Sequence, residues 1–448
     1  MSAKPNIVYV FADQWRAQAT GYGGDPNVQT PHLDRLATQS LNLTHAIAGV
    51  PVCTPARATL MTGQRPLSHG VFVNDVQLDP QATTLAKTFR EAGYNTAYIG
   101  KWHIDGRGRS NPIPAERRQG FDYWKTLECT HDYNDSRYYS GDSDEQLTWE
   151  TYDARAQTRD AQQYIRQRDD DTPFLLLLSW GPPHNPYETA PEEFRRLYDA
   201  AHLELRPNVP DELAPQARQW LAGYYAHCSA LDACVGDLLT TLDETGIADN
   251  TLFVFTSDHG DMLGSQGLER KQKPWDESIR VPFLLRYPAR FGASGRQIDA
   301  LLDAPDIMPT LLGLCDLPIP NSVEGLDFTA HLEGGDDPSG GAALLACYHP
   351  FGEWHRDNGG CEFRGLRTRH YTYVRALHGP WLLYDNDADP YQLNNLIDRN
   401  AYTDLQIELD YELQRRLESM DDEFLPSVEY LEKWGYAVDE QGTVSYTK

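Results

Sequence analysis

The sequence predicts a three-layer α/β sandwich, in which a large, mostly parallel sheet lies between helices, followed by a smaller α+β subdomain with an antiparallel sheet. Apolar runs of strand length alternate with segments of helical period along most of the chain, and this alternation is typical of a parallel sheet with helical crossovers. The 448 residues can bury a large core and fill more than one domain. We expect the α/β domain to cover residues 1–335 and the subdomain residues 342–448.

Individual elements follow from the apolar pattern. Strands of the large sheet are predicted over residues 6–11, 94–99, 174–179, 251–256 and 282–287. The clearest helices are predicted over residues 31–40, 81–92 and 214–244. Residues 333–341 are rich in Gly and Asp and indicate a loop or linker. After it, we expect strands of the small sheet within residues 363–375 and 381–384, and a helix against them over residues 401–420.

Two of the predicted strands are followed directly by polar side chains. The first strand leads into Asp13 and Gln14, and the strand over residues 251–256 leads into Asp258 and His259. Open α/β sheets bind their ligands at the carboxyl ends of the strands, so these residues are candidates for a site. The alternative is that each Asp only caps the next helix.

The most informative segment is Cys53-Thr54-Pro55-Ala56-Arg57, which is followed by Thr62-Gly63. Pro55 suits the first turn of a helix, so Cys53 is expected at a helix N-terminus, where N–H groups and the helix dipole favour negative charge. Arg57, about one turn further on, can neutralise an oxyanion or anchor a cysteine-derived group. The segment therefore indicates a site for an anionic substrate, although a small buried cysteine is the alternative.

Two further segments follow predicted strands. Lys101 and His103 come after residues 94–99, and on extended backbone two residues this far apart point the same way. His184 lies between prolines after residues 174–179. A solvated Lys-His pair and a histidine fixed in a proline turn are the respective alternatives.

The Cys-x-Pro-x-Arg pattern with its Thr-Gly pair resembles the signature of type I sulfatases, the formylglycine-dependent enzymes of the alkaline phosphatase superfamily, and the resemblance covers nearly the whole chain. It implies hydrolysis of sulfate esters after a maturing enzyme has oxidised Cys53 to formylglycine. It implies a divalent metal held by Asp13, Gln14, Cys53, Asp258 and His259. It also implies a catalytic set formed by Cys53, Arg57, Lys101, His103, His184 and Lys271.

The resemblance further implies a role for each catalytic group. A hydroxyl of the formylglycine hydrate would attack sulfur, and Lys101 and Lys271 would bind the sulfate oxygens. His103 would orient or deprotonate the hydrate, and His184 would protonate the departing alcohol. Lys271 is matched by its spacing to the later Arg-x-Pro, while Lys273 stays the competing choice.

The group beyond the sulfate is expected to be a sugar or another small organic group. Asn74 resembles a substrate-contacting residue of the family, or else shapes a turn. His349, His355 and Arg356 belong to a segment rich in basic and aromatic residues that would suit a sugar ring, and His131 is a further loop candidate. Each of these can equally be an ordinary surface residue.

Gln14 and His259 depart from the commonest family pattern, which has an acidic residue and an Asn at these positions. We expect Ca²⁺, but imidazole suits Mn²⁺ or another divalent ion better than Ca²⁺. The same variation resembles relatives that hydrolyse phosphonate monoesters and phosphodiesters, and this activity is the alternative function. A non-catalytic, metal-containing binding protein in which Cys53 stays a thiol is a further alternative.

Composition narrows the range of partners. A net charge of −27 argues against nucleic acid or an acidic membrane surface as a binding partner. No apolar run approaches the ~20 residues that a membrane span requires. Residues 1–5 lead into the first strand without a signal peptide, and seven cysteines without paired spacing fit a reducing compartment. We therefore expect a cytoplasmic protein whose partners are a small or oligosaccharide sulfate ester and the maturing enzyme.

Overall fold

The computed structural model describes residues 4–445, so residues 1–3 of the N-terminal segment considered above lie outside the described part. Two sheets and their helices form the fold. The strands are β1 (Asn6–Asp13), β2 (Leu41–Ile47), β3 (Asn95–Lys101), β4 (Tyr123–Leu127), β5 (Arg137–Ser140), β6 (Leu147–Thr148), β7 (Phe174–Pro183), β8 (Thr251–Ser257), β9 (Arg280–Val281), β10 (Leu284–Arg286), β11 (Arg296–Asp303), β12 (Ala342–Cys347), β13 (Phe363–Thr368), β14 (Tyr371–Ala376) and β15 (Gly379–Asp385). The α-helices are α1 (Pro31–Ala37), α2 (Cys53–Thr62), α3 (Pro66–His69), α4 (Leu85–Glu91), α5 (Asp153–Arg166), α6 (Glu192–Arg195), α7 (Ala214–Glu244), α8 (Asp276–Ile279), α9 (Pro288–Phe291), α10 (Ile307–Leu314), α11 (Thr329–Leu332), α12 (Thr403–Ser419) and α13 (Ser427–Trp434).

The large sheet has the strand order β11-β2-β10-β8-β1-β7-β3-β4-β5-β6, with β9 paired to β2. Its five central strands, β8, β1, β7, β3 and β4, are mutually parallel. On one side β10 runs antiparallel to both β8 and β2, and on the other β5 and β6 are antiparallel additions. The parallel centre brings five carboxyl ends of strands to the same edge of the sheet.

Apolar cores cover both faces of this sheet, which is the three-layer arrangement predicted from the sequence. Along β1, Ile7 and Tyr9 belong to one core, and Val8 and Val10 belong to the other. Helices α2, α4 and α10 contribute to the first core, and α5 and α7 to the second. Because β8, β1, β7 and β3 are buried on both faces, their sequences are nearly continuous apolar runs.

The second sheet has the order β12-β13-β14-β15 and is antiparallel throughout. One face packs on leucines of α12, and the other packs on Met262, Trp275 and Ile279 of the α/β part. The buried Asp276 at the start of α8 accepts hydrogen bonds from Arg367 on β13, at 2.9 Å and 3.0 Å. The small sheet is thus fixed to the segment that follows Lys271.

Most predicted elements are present, with a few shifted bounds. The strand predicted over residues 282–287 is shorter than expected, because β10 covers only Leu284–Arg286; residues 363–375 form two strands joined by a turn. Residues 333–341 contain no helix or strand, as expected. None of the helices within residues 4–445 combines the length and hydropathy that a membrane span requires.

Candidate active site

Five elements deliver polar side chains to the carboxyl edge of the large sheet. Asp13 and Lys101 are the last residues of β1 and β3, His184 and Asp258 directly follow β7 and β8, and Cys53 is the first residue of α2. All five side chains are buried. The candidate residues from separate segments of the sequence therefore lie together at one edge of the sheet, at the ends of parallel strands and at one helix N-terminus.

The Cys53 sulfur lies at the centre of this cluster. Its Sγ is 2.9 Å from Lys271 Nζ, 3.2 Å from His259 Nε2 and 3.6 Å from Asp13 Oδ1. Burial and the charge of Asp13 raise the pKa of Cys53, but Lys271, Lys101 and His259 together hold it well below its usual value. The position therefore stabilises a negative charge, as expected for the N-terminus of a helix that faces cations.

A candidate metal centre adjoins the sulfur. One ligand atom from each of Asp13, Cys53, Asp258 and His259 lies within 4.8 Å of the others. Gln14 has a left-handed φ of 72°, and its side-chain Oε1 is buried without a hydrogen-bond partner. The Gln14 backbone N–H donates to Asp258, a member of this group, at 3.0 Å. A buried oxygen without a partner is well suited to a cation, and strained backbone of this kind is common at functional sites. These residues therefore fit a divalent metal.

Two buried cations neutralise the carboxylates of this centre. Lys101 Nζ lies 2.6 Å from Asp13 Oδ2, and an Arg57 nitrogen lies 3.1 Å from Asp13 and 3.2 Å from Asp258. Burial raises the pKa of Asp13, but Lys101, His184 and Arg57 hold it well below its ordinary value. Arg57 also donates to the Lys101 carbonyl and to Ser179 Oγ, so it fastens α2 to β3 and β7.

His103 reaches the cluster by a conformation that differs from the expected one. Its φ is 60°, so the premise of extended backbone through His103 is wrong, although the side chain still points into the site. Its Nε2 lies 2.9 Å from Asp75 Oδ1. Burial lowers the pKa of His103, but the charge of Cys129 and hydrogen bonds to Asp75 and Cys53 raise it to about 10. Asp75 has no motif of its own and was missed by the sequence analysis.

The structure separates the two competing lysines. Lys271 Nζ lies 2.9 Å from both Cys53 Sγ and His184 Nε2. Lys273 Nζ instead donates to the Glu269 carbonyl and lies 5.4 Å from the centre of the Trp354 ring. Lys271 thus belongs to the cluster, whereas the recorded contacts of Lys273 lie outside it.

His184 is held by its neighbours on the loop after β7. Its Nδ1–H donates to the Asn185 carbonyl at 2.9 Å, which leaves Nε2 to face Lys271. Burial and the charge of Lys271 hold the pKa of His184 well below its usual value. The ring of His131 stacks on the His184 ring with centroids 4.7 Å apart.

The four residues expected to bind the organic part of the substrate form hydrogen bonds or ion pairs with other protein groups. Asn74 accepts a hydrogen bond from the Thr54 backbone N–H at 3.0 Å, next to Cys53. The remaining three lie in the loop between β12 and β13: His349 bonds to the Gly442 carbonyl, His355 pairs with Asp357, and Arg356 pairs with Glu362. The nearby Phe351 carbonyl accepts from Gln272, which adjoins Lys271. Substrate contact by these residues stays a prediction.

Comparison with known proteins agrees with this geometry. The family model described as Sulfatase matches residues 5–317, and the one described as N-sulphoglucosamine sulphohydrolase, C-terminal, matches residues 264–419. An ulvan-active sulfatase of Formosa agariphila is 45% identical over 97% of this chain and 85% of its own length. An endo-4-O-sulfatase of Bacteroides thetaiotaomicron is 31% identical over 88% of this chain and 89% of its own length. A solved structure from work on glycosaminoglycan metabolism by Bacteroides thetaiotaomicron has a TM-score of 0.86 and 31% identity, and the match covers 96% of this chain and 99% of that chain.

The chain belongs to the sulfatase family of the alkaline phosphatase superfamily. It is a sulfuric ester hydrolase. The expected family, the α/β fold with its separate antiparallel sheet and the enzyme class are therefore confirmed. The non-catalytic alternative receives no support from this assignment.

Proposed function

We propose that this enzyme releases inorganic sulfate from sulfated sugars, with Cys53 converted to formylglycine as the nucleophile. The observation that carries the proposal is the convergence of Lys271, His259 and Asp13 on the Cys53 sulfur at the start of α2. That sulfur stands where one of the two hydrate hydroxyls, both bonded to Cβ, would lie. The choice of sugars is supported by the relatives above 30% identity, which are named as an ulvan-active sulfatase and an endo-4-O-sulfatase.

In the proposed first step, one hydrate hydroxyl gives up its proton to solvent, aided by the cations around this position, and its oxygen forms a bond to sulfur while the ester S–O bond breaks. Lys271 and Lys101 stabilise negative charge on the sulfate oxygens, and Arg57 holds the start of the helix in place. The electron pair of the broken bond stays on the leaving oxygen, which takes a proton from His184. An anionic sulfate beside His184 opposes the lowering of its pKa by burial and by Lys271, and so favours the protonated ring.

In the second step, loss of the remaining hydrate proton expels sulfate and restores the aldehyde. His103 is the proposed orienting group or base, since its ring is hydrogen-bonded to Asp75 and to Cys53. Its raised pKa of about 10 favours the orienting role while the ring stays protonated. An unmodified cysteine or serine carries no second hydroxyl and cannot complete this step. The proposal therefore requires the matured form of Cys53.

Asp13, Gln14, Asp258 and His259, with the modified Cys53, would hold the metal. We propose Ca²⁺, with Mn²⁺ or another divalent ion as the alternative that the nitrogen of His259 favours. When bound, the ion supplies positive charge that stabilises oxyanions in the site. Arg57 and Lys101 neutralise the excess acidic charge around it.

The proposed domain division assigns the α/β part over residues 1–335 to catalysis and residues 342–448 to the outer part of the substrate pocket. Support comes from the contact between the loop after β12 and the segment around Lys271, through Gln272 and the Phe351 carbonyl. In this proposal Asn74, His349, His355 and Arg356 contact the sugar.

The deciding experiment compares wild-type enzyme with Cys53→Ala, after intact mass has verified the aldehyde in the wild type. On 4-nitrophenyl sulfate and a panel of sulfated sugars, we expect Cys53→Ala to lose on the order of 10⁴-fold or more in kcat, because the nucleophile is gone. Cys228→Ala, which removes a buried cysteine of α7, is the matched control and keeps its activity. Full activity of Cys53→Ala would refute the proposal.

Hydrolysis of phosphonate monoesters or phosphodiesters is the second candidate, and the presence of Gln14 and His259 at the metal centre favours it. The same matured enzyme would be assayed on 4-nitrophenyl sulfate and on a matching phosphonate monoester. We expect the higher kcat/KM on the sulfate. A large preference for the phosphonate would replace sulfate hydrolysis by this alternative.

A further inference from the structure

The loop over residues 129–133, which follows β4, covers the side of the His184 turn. His131 stacks on the His184 ring with centroids 4.7 Å apart and an angle of 12° between the ring planes. The Tyr133 hydroxyl donates to the Asn185 carbonyl at 3.2 Å, and the same carbonyl accepts from His184 Nδ1. One loop therefore contacts both the ring of His184 and the backbone group that orients it.

We propose that His131 is a positioning residue that holds the His184 imidazole in line with the leaving oxygen of the ester. This inference rests on the proposed function, in which His184 protonates that oxygen. His131 is named by none of the steps proposed above, and the sequence analysis considered it only as a loop residue that contacts the sugar.

Two constraints are needed to fix an imidazole that acts through one nitrogen. The hydrogen bond from Nδ1 to Asn185 fixes the direction of the ring edge, but it leaves the ring free to tilt about that bond. A parallel ring at van der Waals distance removes the tilt, because rotating His184 would break the stack. Nε2 then stays directed at Lys271 Nζ, 2.9 Å away, beside the Cys53 sulfur.

Tyr133 makes this loop a firm support. Its side chain is fully buried, and its ring lies so close to Gly181 on β7 that a Cβ added there would come within 2.8 Å. His131 itself is half-buried, and its ring packs on the buried ring of His184. The stack is thus fixed to the central sheet and does not depend on a mobile surface contact.

The chemistry of the first step makes the inference testable. As the ester S–O bond breaks, the electron pair remains on the leaving oxygen, and a sugar alkoxide needs the proton from His184 Nε2. A 4-nitrophenolate is a stable anion and departs without it. Loss of alignment at His184 should therefore slow sugar sulfates selectively, and kcat/KM isolates this step because the later release of sulfate is common to all substrates.

The experiment measures kcat/KM of matured enzyme on 4-nitrophenyl sulfate and on the best sugar sulfate of the panel. General acid catalysis contributes about 10²–10⁴-fold, so a misaligned acid in His131→Ala should lose roughly 10- to 100-fold on the sugar sulfate. On the aryl ester we expect a loss below about 3-fold, because that leaving group needs no proton. His131→Phe retains a stacking ring and should restore most of the activity on the sugar sulfate. His202→Ala, which removes an exposed histidine, is the control.

Each other outcome overturns the inference. Equal losses of His131→Ala on both esters would indicate general damage to the site. A failure of His131→Phe to rescue would indicate that a ring nitrogen of His131 is needed, either for its hydrogen bond to Cys129 or for contact with the substrate. Unchanged activity of His131→Ala on the sugar sulfate would show that the stack is dispensable. Inactivity of the wild type on all sulfate esters would instead refute the proposed function. The wild-type assay therefore distinguishes failure of the proposed function from failure of the role of His131.

Discussion

Replacing Lys271 by Met gives the sharpest test of the proposed charge stabilisation. Lys271 Nζ lies 2.9 Å from the Cys53 sulfur, and two unit charges at that distance attract by about 6 kcal/mol at an effective dielectric constant of ~20. If roughly half a charge develops in the transition state, removing the ammonium costs about 3 kcal/mol, or on the order of 100-fold in kcat/KM. Most of this loss should appear in kcat, because the interaction strengthens as charge develops.

Lys273→Met is the matched control for this prediction, since it removes a buried ammonium two residues away whose recorded contacts are Glu269 and Trp354. Its kcat/KM should stay within about 3-fold of the wild type, because it stabilises no developing charge at the reacting atoms. Steady-state kinetics on 4-nitrophenyl sulfate, with thermal unfolding to confirm that both variants fold, provide the measurement. The reasoning fails if Lys271→Met retains near wild-type kcat, or if Lys273→Met loses more activity than Lys271→Met.

Further predictions concern the metal centre and the attachment of the small sheet. Gln14→Ala should weaken divalent metal binding by about 10- to 100-fold, measured by calorimetry, while the exposed control Gln81→Ala leaves it unchanged. Asp276→Asn should lower the free energy of unfolding at pH 7 by about 3 kcal/mol, because it breaks a buried ion pair with Arg367; equal denaturation midpoints in urea would contradict this. Burial raises the pKa of Asp276, but its arginine partners hold it below the ordinary value of 3.8, so the pair contributes fully above that pH. The difference between wild type and Asp276→Asn should therefore shrink as the pH falls below about 4, and a difference that grows on acidification would contradict the assignment.

Four of the five central strands were predictable because burial on both faces leaves an uninterrupted apolar run, as in residues 251–256. The fifth, β4, contains Lys125 and a half-buried Tyr123 and was missed. The outer strands were missed for the converse reason. β2 carries Asn42, Thr44 and His45, and the edge strand β11 begins with two exposed polar residues, so neither has a continuous apolar signal. The antiparallel direction of β10 depends on how the chain returns to the sheet, which local periodicity does not record.

The candidate site shows a similar division. The start of α2 at Cys53 followed from local chemistry, because proline and a helix N-terminus are properties of a few adjacent residues. The Asp75–His103 pair spans 28 residues, and the contact between Lys271 and Cys53 spans 218. Local spacing within a single sequence does not predict contacts between such distant residues. The left-handed backbone of His103 was also not predictable, because the position is not a glycine.

The deep position of Cys53 limits when another enzyme can reach its sulfur. Only 1% of this residue is exposed in the closed fold, while Lys271 and His184 show 7% and 5%. A sulfur this deeply buried leaves no room for another enzyme to place its own reactive groups beside it. Under the proposed function, the catalyst that converts this sulfur must therefore meet the polypeptide before it folds, or during a transient opening, and the time between synthesis and folding would limit how many molecules mature.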